Sequence, residues 1–356
     1  MLDCSANSQT RKEQRCVVIL GAGASAPYGI PMASELLSRA DEMREEYPDF
    51  VRKIKKLAEC FEGEKNLEDI LTEVNNAFQI FSAITELNDQ DLLDTNLNKF
   101  RYMLYLLVNN SVDLETVPSD GPMNRIFDFC ADFKHTSWCT FNWDRVLETA
   151  FFSHRKAHHK GTLNLRKDEN ITIENYWENV SDCNLLLKLH GSIYWWYRQK
   201  SLHQLKYVGW GSTDGTHANE WEKFEDVVKQ PNLSVSIGVP AILEPSAHKY
   251  QGEIHKKLQP QWDRFEEELQ NADTVLVIGY SYPENDSKMP VSPIKNALEK
   301  VNENAKVVII DPDGTGMVRA RYEEVFKNKN LQFIEDKYDS KNIVEEIEKK
   351  LNCKKG

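Results

Sequence analysis

Five short apolar runs punctuate the chain, at Cys16 to Leu20, Trp138 to Phe141, Leu185 to Leu189, Thr274 to Ile278 and Lys306 to Ile310. A run that is apolar throughout, rather than alternating with polar residues, is the pattern of a parallel strand covered on both faces. Helical periodicity fills intervals at Gln261 to Gln270, Ile294 to Val301 and Ile343 to Leu351. In the last of these, Ile343, Ile347 and Leu351 share one face at i, i+4 spacing. Strand and helix alternating over most of the length predict an α/β fold, Rossmann-like and doubly wound, with a mostly parallel sheet between helices.

Two stretches break this rhythm. Residues 45–120 hold no strand pattern but several helical ones (KKLAEC, LEDILTEVNNAFQIF, FRYMLYLLV), which predicts a helical insertion after the first strand–helix unit. Residues 192–240 are rich in glycine, charge and aromatics, with Trp195, Trp196, Trp210 and Trp221, and read as long loops or a small lid. Residues 1–15 read as a polar arm, so the main domain is expected over 16–356.

The length of 356 residues suits two domains or one large domain carrying an insertion. With 44 Lys+Arg against 56 Asp+Glu the net charge is −12, which argues against a protein that grips nucleic acid by overall charge. The seven cysteines form no C-x-x-C pair and are scattered, a usage that fits a reducing compartment. No apolar run approaches the roughly 20 residues of a membrane-spanning helix. Arg11 to Arg15 followed by CVVILGAGASA imitates a secretory signal, but the apolar stretch is short and broken by glycine. A cytoplasmic location, with no membrane contact, is the expectation.

The chemistry-bearing residues fall at the ends of the predicted strands, where doubly wound sheets gather their ligand groups. Gly21-Ala22-Gly23-Ala24-Ser25-Ala26 matches G-x-G-x-x-G/A. Gly21 permits the tight turn, Gly23 leaves room for a pyrophosphate, and the free N–H groups of the following helix attract an anion. The acid that usually contacts ribose about 20 residues later would be Asp41 or Glu42, both inside a charged helical stretch. Asn142 and Asp144 follow the second run, where they suit either a ligand site or a helix N-cap. His190 follows the third run and enters a glycine turn, and a neutral imidazole there can accept a proton from a sugar hydroxyl or water. Gly279 and Ser281 follow the fourth, and Asp311, within Asp-Pro-Asp, follows the fifth. Each of these also reads as an ordinary turn.

In this order the motifs resemble the sirtuin-like superfamily, and within it the bacterial sirtuin-like NAD-consuming domains rather than the protein deacylases. The matching pieces are GAGASAPYGIP, TFNWD, LHGS, PAILEPSAHK, GYSYPEND and IIDPD. The resemblance implies that Gly21, Ala22, Gly23, Ser25, Gly279 and Ser281 hold the NAD phosphates and that Asp311 belongs to the same cofactor site. It implies that Asn142 and Asp144 contact the nicotinamide ribose and carboxamide, and that His190 is the base. Deacylases carry Asp-Phe-Arg where Met32-Ala33-Ser34 stands, Gln where Phe141 stands, and four zinc cysteines after the HGS motif. No cysteine lies between Ser192 and Val277, and a structural zinc takes four closed ligands, so neither zinc nor any other metal is expected. The implied activity is therefore NAD hydrolysis to nicotinamide and ADP-ribose, with NAD as substrate, in a regulated effector of antiphage defence. The implied assembly is a homo-oligomer or a complex with a separate hexameric DNA-translocating ATPase, since no P-loop is present here. Protein ADP-ribosylation, deacylation and non-catalytic sensing of NAD or ADP-ribose are the alternatives.

Overall fold

The computed structural model describes residues 11–32, 35–39, 41, 48–59, 70, 72, 101, 104, 108, 121–158, 184–198, 201–207, 238–243, 249–250, 252–287, 292–313, 316–326 and 330–352. Most of the expected arm and insertion, with Glu42, Trp210 and Trp221, lies outside these residues. The strands are β1 (Arg15–Leu20), β2 (His135–Thr140), β3 (Asn184–Lys188), β4 (Gly191–Arg198), β5 (Ser201–Tyr207), β6 (Gly238–Ile242), β7 (Thr274–Ile278), β8 (Lys306–Ile310) and β9 (Asn330–Ile334). The helices used below are α1 (Ala22–Ser25), α2 (Leu36–Arg39), α3 (Pro48–Glu59), α4 (Pro122–Cys130), α5 (Val146–His158), α6 (Glu253–Gln270), α7 (Glu284–Ser287), α8 (Pro293–Glu299), α9 (Met317–Val325) and α10 (Ile343–Asn352).

Six strands pair in parallel in the order β3-β2-β1-β7-β8-β9. This is the doubly wound order 3-2-1-4-5-6, whose direction reverses at β1, so the ligand crevice of such a sheet lies between the carboxyl ends of β1 and β7. The register brings those ends level: Leu20 stands opposite both Thr140 and Ile278, Thr140 opposite Lys188, and Ile278 opposite Ile310. One residue further on, a row of backbone bonds continues the ladder. The N–H groups of Gly21, Phe141, Leu189 and Gly279 donate to Ile278, Leu20, Thr140 and Ile310. Motifs far apart in sequence thus share one rim because their strands stop in step.

The runs Cys16 to Leu20 of β1 and Val275 to Ile278 of β7 are apolar on both faces and buried, as uninterrupted apolar runs require. On one side Phe127 of α4 meets Trp138 and Phe151 edge-on, with ring centroids 4.8 and 5.5 Å apart. The face formed by Ile343, Ile347 and Leu351 of α10 is buried as its spacing predicts, and α10 packs on β8 and β9.

Three parts of the fold depart from the sequence expectation. Helix α6 begins at Glu253 and passes through Pro260, so the proline marks no boundary. Strand β9 is a half-buried edge carrying Asn330 and Gln332, too polar to resemble its buried neighbours. Residues 191–198 and 201–207, expected as loops or a lid, pair as β4 and β5 of an antiparallel sheet ordered β5-β4-β6. There Ile193 and Trp195 are buried two residues apart, a strand alternation that the surrounding aromatics obscure in the sequence.

Candidate functional site

The first loop leaves β1 at Gly21 and forms a single α turn, α1, followed by a 3₁₀ turn at Ala26–Tyr28. So short an element offers free N–H groups but little of the macrodipole expected from a full helix. The glycines also do something other than leave room for a ligand. A Cβ on Gly21 would lie 2.5 Å from the Gly279 carbonyl oxygen, and one on Gly23 would lie 2.9 Å from the Gly279 Cα. Gly279 itself has φ +60, and a Cβ there would meet Ala24 N at 2.5 Å. The Gly23 N–H donates to the Gly279 carbonyl at 2.9 Å. The space beside Gly23 is therefore filled by the backbone of the loop after β7, and three glycines let the two loops interlock at the switch point.

Asn142 joins this structure from β2. Its Nδ2 donates to the Gly21 carbonyl at 2.7 Å and to Ser25 Oγ at 2.9 Å, while its backbone N–H donates to Thr140 Oγ1 at 3.0 Å. Ser25 is buried and also bonds Asp144. Asp144 is buried and accepts from the Val146 N–H at 2.8 Å, so its carboxylate braces the start of α5. Burial raises the Asp144 carboxyl above its usual range, against the pull of Lys188 and the bonds from Val146 and Ser25. Beneath it Lys188, with no exposed surface, pairs with Glu148 at 2.8 Å and donates to the Asp144 carbonyl. Its own N–H donates to Gln261 of α6 at 2.6 Å.

His190 follows β3 by two residues, in the turn into β4, and is 8% exposed. Its ring lies 4.9 Å from Phe141, which in turn stacks on Tyr280 at 4.3 Å. Tyr250 and Trp262 close the cage, at 6.0 and 6.3 Å from the imidazole. Nε2 of His190 sits 3.1 Å from the Tyr250 hydroxyl, which reaches Asp286 Oδ1 at 3.0 Å. Asp286 also accepts from Tyr280 at 2.7 Å and pairs with Lys249 at 2.8 Å. Burial, then Lys249, pulls the imidazole down to about 3, against the opposite effect of Asp286. Burial alone would raise Asp286, but Lys249 and the hydrogen bonds outweigh it and hold the carboxyl below its usual range. His255 and Trp262 also line a cavity of about 530 Å³ between α6 and α8, with Asp263, Asn296 and Lys300 on its other walls.

The structure thus gathers Gly21, Ala22, Gly23, Ser25, Asn142, Asp144 and Gly279 in one bonded group. His190 is attached through Phe141, the residue before Asn142. Ser281 is exposed, with its carbonyl receiving Arg321 at 3.4 Å, and Asp311 is half-buried at the end of β8 next to Gly279. Asp41 pairs with Lys55 of α3, a surface contact. Lys249, Tyr250 and Asp286 received no role from the sequence. Lys249 and Asp286 lie inside the PAILEPSAHK and GYSYPEND segments and Tyr250 adjoins the first, so the signal was a charged residue closing each segment. Among the described residues no group of three or more His, Cys, Asp or Glu side chains is arranged to hold a metal, and no helix is long and apolar enough to cross a membrane.

A family model described as "SIR2-like domain" matches residues 136–334, more than half of the chain. Curated proteins gave no match. Among solved structures, a Sir2 homologue mutant with 2′-O-acetyl ADP-ribose is similar at 16% identity and TM-score 0.47, over 99% of each chain. A Sir2 homologue mutant with ADP-ribose is similar at 14% and 0.44, over 99% of this chain and all of that one. A Sir2 homologue–NAD complex is similar at 14% and 0.44, over 99% and 96%.

Proposed function

The chain belongs to the SIR2-like domain family, and on that premise we propose that it binds NAD at the β1/β7 crevice and hydrolyses it to nicotinamide and ADP-ribose. The observation that carries the reading is the junction of Asn142 with the Gly21 and Ser25 loop, with His190 one ring away across Phe141. A doubly wound sheet places its ligand at that point of the rim.

In the reaction the C1′–N bond breaks, its electron pair neutralises the pyridinium, and water adds to the oxocarbenium-like ribose. Asn142 orients the ribose and the incoming water. Asp144, occupied with Ser25 and α5, acts by holding that loop. His190 receives the proton that the added water sheds. An imidazole depressed to about 3 is a weak base, but water bound to an oxocarbenium carbon is a far stronger acid than free water, so a weak base is sufficient. His190 would also stay unprotonated, and so competent, across the physiological range.

Constitutive NAD loss would kill the cell that makes the enzyme, so control by a homo-oligomer or a separate ATPase partner in a defence setting belongs to the same proposal. Incubating the purified chain with NAD and separating the products tests the chemistry. Nicotinamide with ADP-ribose is expected, and labelled protein from labelled NAD would instead identify a transferase. In Asn142→Ala the rate should fall by about 100-fold or more, with the fold preserved by circular dichroism; an unchanged rate would remove Asn142 from the mechanism.

A further inference from the structure

The protons around His190 do not match its partners one for one, and this leads beyond the reading above, on which the inference rests. Asp286 is already served by Lys249 on Oδ1 and by Tyr280 on Oδ2. The Tyr250 hydroxyl has a single proton and at least two acceptors in reach, Asp286 Oδ1 at 3.0 Å and His190 Nε2 at 3.1 Å. The His190 ring is also bonded by the Phe141 backbone. A neutral imidazole with its proton on Nδ1 presents Nε2 as an acceptor, and Tyr250 donates to it. An imidazolium presents Nε2–H, and Tyr250 must then turn its proton to Asp286. The hydroxyl has two positions, and the charge of His190 selects between them.

We propose that Tyr250 carries the proton between the substrate and His190, and that Asp286 and Lys249 are positioning residues that hold its hydroxyl on Nε2. Nε2 is engaged by Tyr250 and the ring is caged by Phe141, Tyr250 and Trp262, so Tyr250 is the hydroxyl through which Nε2 is reached. As water adds to the ribose, its proton passes to the Tyr250 oxygen while Tyr250 passes its own to Nε2. One water O–H and one tyrosine O–H break; one tyrosine O–H and one N–H form. The new imidazolium then faces the Asp286 carboxylate across a single hydroxyl. Asp286 favours that cation, whereas Lys249 and His255 oppose it, so the charge is held only briefly and is readily returned.

Tyr250→Phe removes the hydroxyl and keeps the ring in its cage. In the full chain, kcat for nicotinamide release should fall by about 100-fold or more, with NAD affinity by calorimetry unchanged. The Nε2 signal of His190 in ¹⁵N-histidine-labelled protein should move to that of an acceptor lacking a hydroxyl partner. Asp286→Asn, which keeps the hydroxyl but weakens its hold, should slow turnover less than Tyr250→Phe and move that signal only part of the way. Wild-type or faster turnover in Tyr250→Phe overturns the proposal, because the hydroxyl would then be blocking His190 rather than serving it. Should the wild-type chain alone leave NAD intact, as an enzyme held silent until a partner acts would, the nitrogen signal alone decides the contact: a shift in Tyr250→Phe supports it, and an unmoved signal overturns it.

Discussion

Lys188 closes a buried strand with a charge, and the fold accommodates it only because Glu148 and the Asp144 carbonyl meet its ammonium. Removing one partner strands the other in the interior, at a cost of about 3–5 kcal/mol. Lys188→Met alone should therefore lower the denaturant midpoint markedly, and Lys188→Met with Glu148→Leu should recover much of the loss; equal stability of single and double variants would refute the pairing. Acid acts on other single residues. His190 is depressed from 6.5 to about 3, so between those values the unfolded chain binds the extra proton and stability falls as pH drops. Glu268 is raised by burial but held at about 2, from 4.5, by His135, Ser137 and Arg15. Its contribution is present above pH 4.5 and is lost as the pH falls towards 2, about 3 kcal/mol in all. The melting temperature should fall steadily from pH 7 to pH 4, and His190→Gln should flatten the upper part of that curve. A melting temperature constant over that interval would contradict the burial of a neutral imidazole.

At the scale of elements, the interlock of the loops after β1 and β7 makes a sharp prediction. Gly279→Ala meets backbone atoms at 2.5 Å and also carries a left-handed backbone, whereas Gly316, at φ +75, has nothing within 4 Å of a new Cβ. Gly316→Ala should lose only the left-handed penalty of about 1–2 kcal/mol. Gly279→Ala should lose clearly more, measured by urea unfolding, and should displace the Asn142 loop as well; equal losses would show that the two loops do not constrain each other. The same elements show what was legible in advance. Strands buried on both faces announce themselves as apolar runs, so β1, β3, β7 and β8 were readable, and β2 only over Trp138 to Thr140 because its first half is His135-Thr136-Ser137; their equal endings put Asn142 and Gly279 on one rim. The edge strand β9 and the sheet of β4 to β6 were not, because their partly polar or aromatic sequences lack a clean period. The Tyr250–Asp286–Lys249 group was hidden for another reason. It forms by three-dimensional closure between the start of α6 and the loop after β7, and no spacing along the chain encodes that.

For the whole molecule, the sheet order explains why distant segments cooperate. Reversal at β1 opens the crevice, level strand ends populate its rim, and α6 underpins it from Lys188 to Glu268. The account makes this rim an NAD-cleaving site with Asn142 as the orienting group and His190 as the terminal proton acceptor. Nicotinamide release by the purified chain and by His190→Ala, at matched concentration and with NAD binding measured in parallel, tests that most directly. The account predicts release by the wild type, and in the variant a rate lower by about 100-fold or more with NAD still bound. Nicotinamide release by His190→Ala at the rate of an active wild type would contradict it.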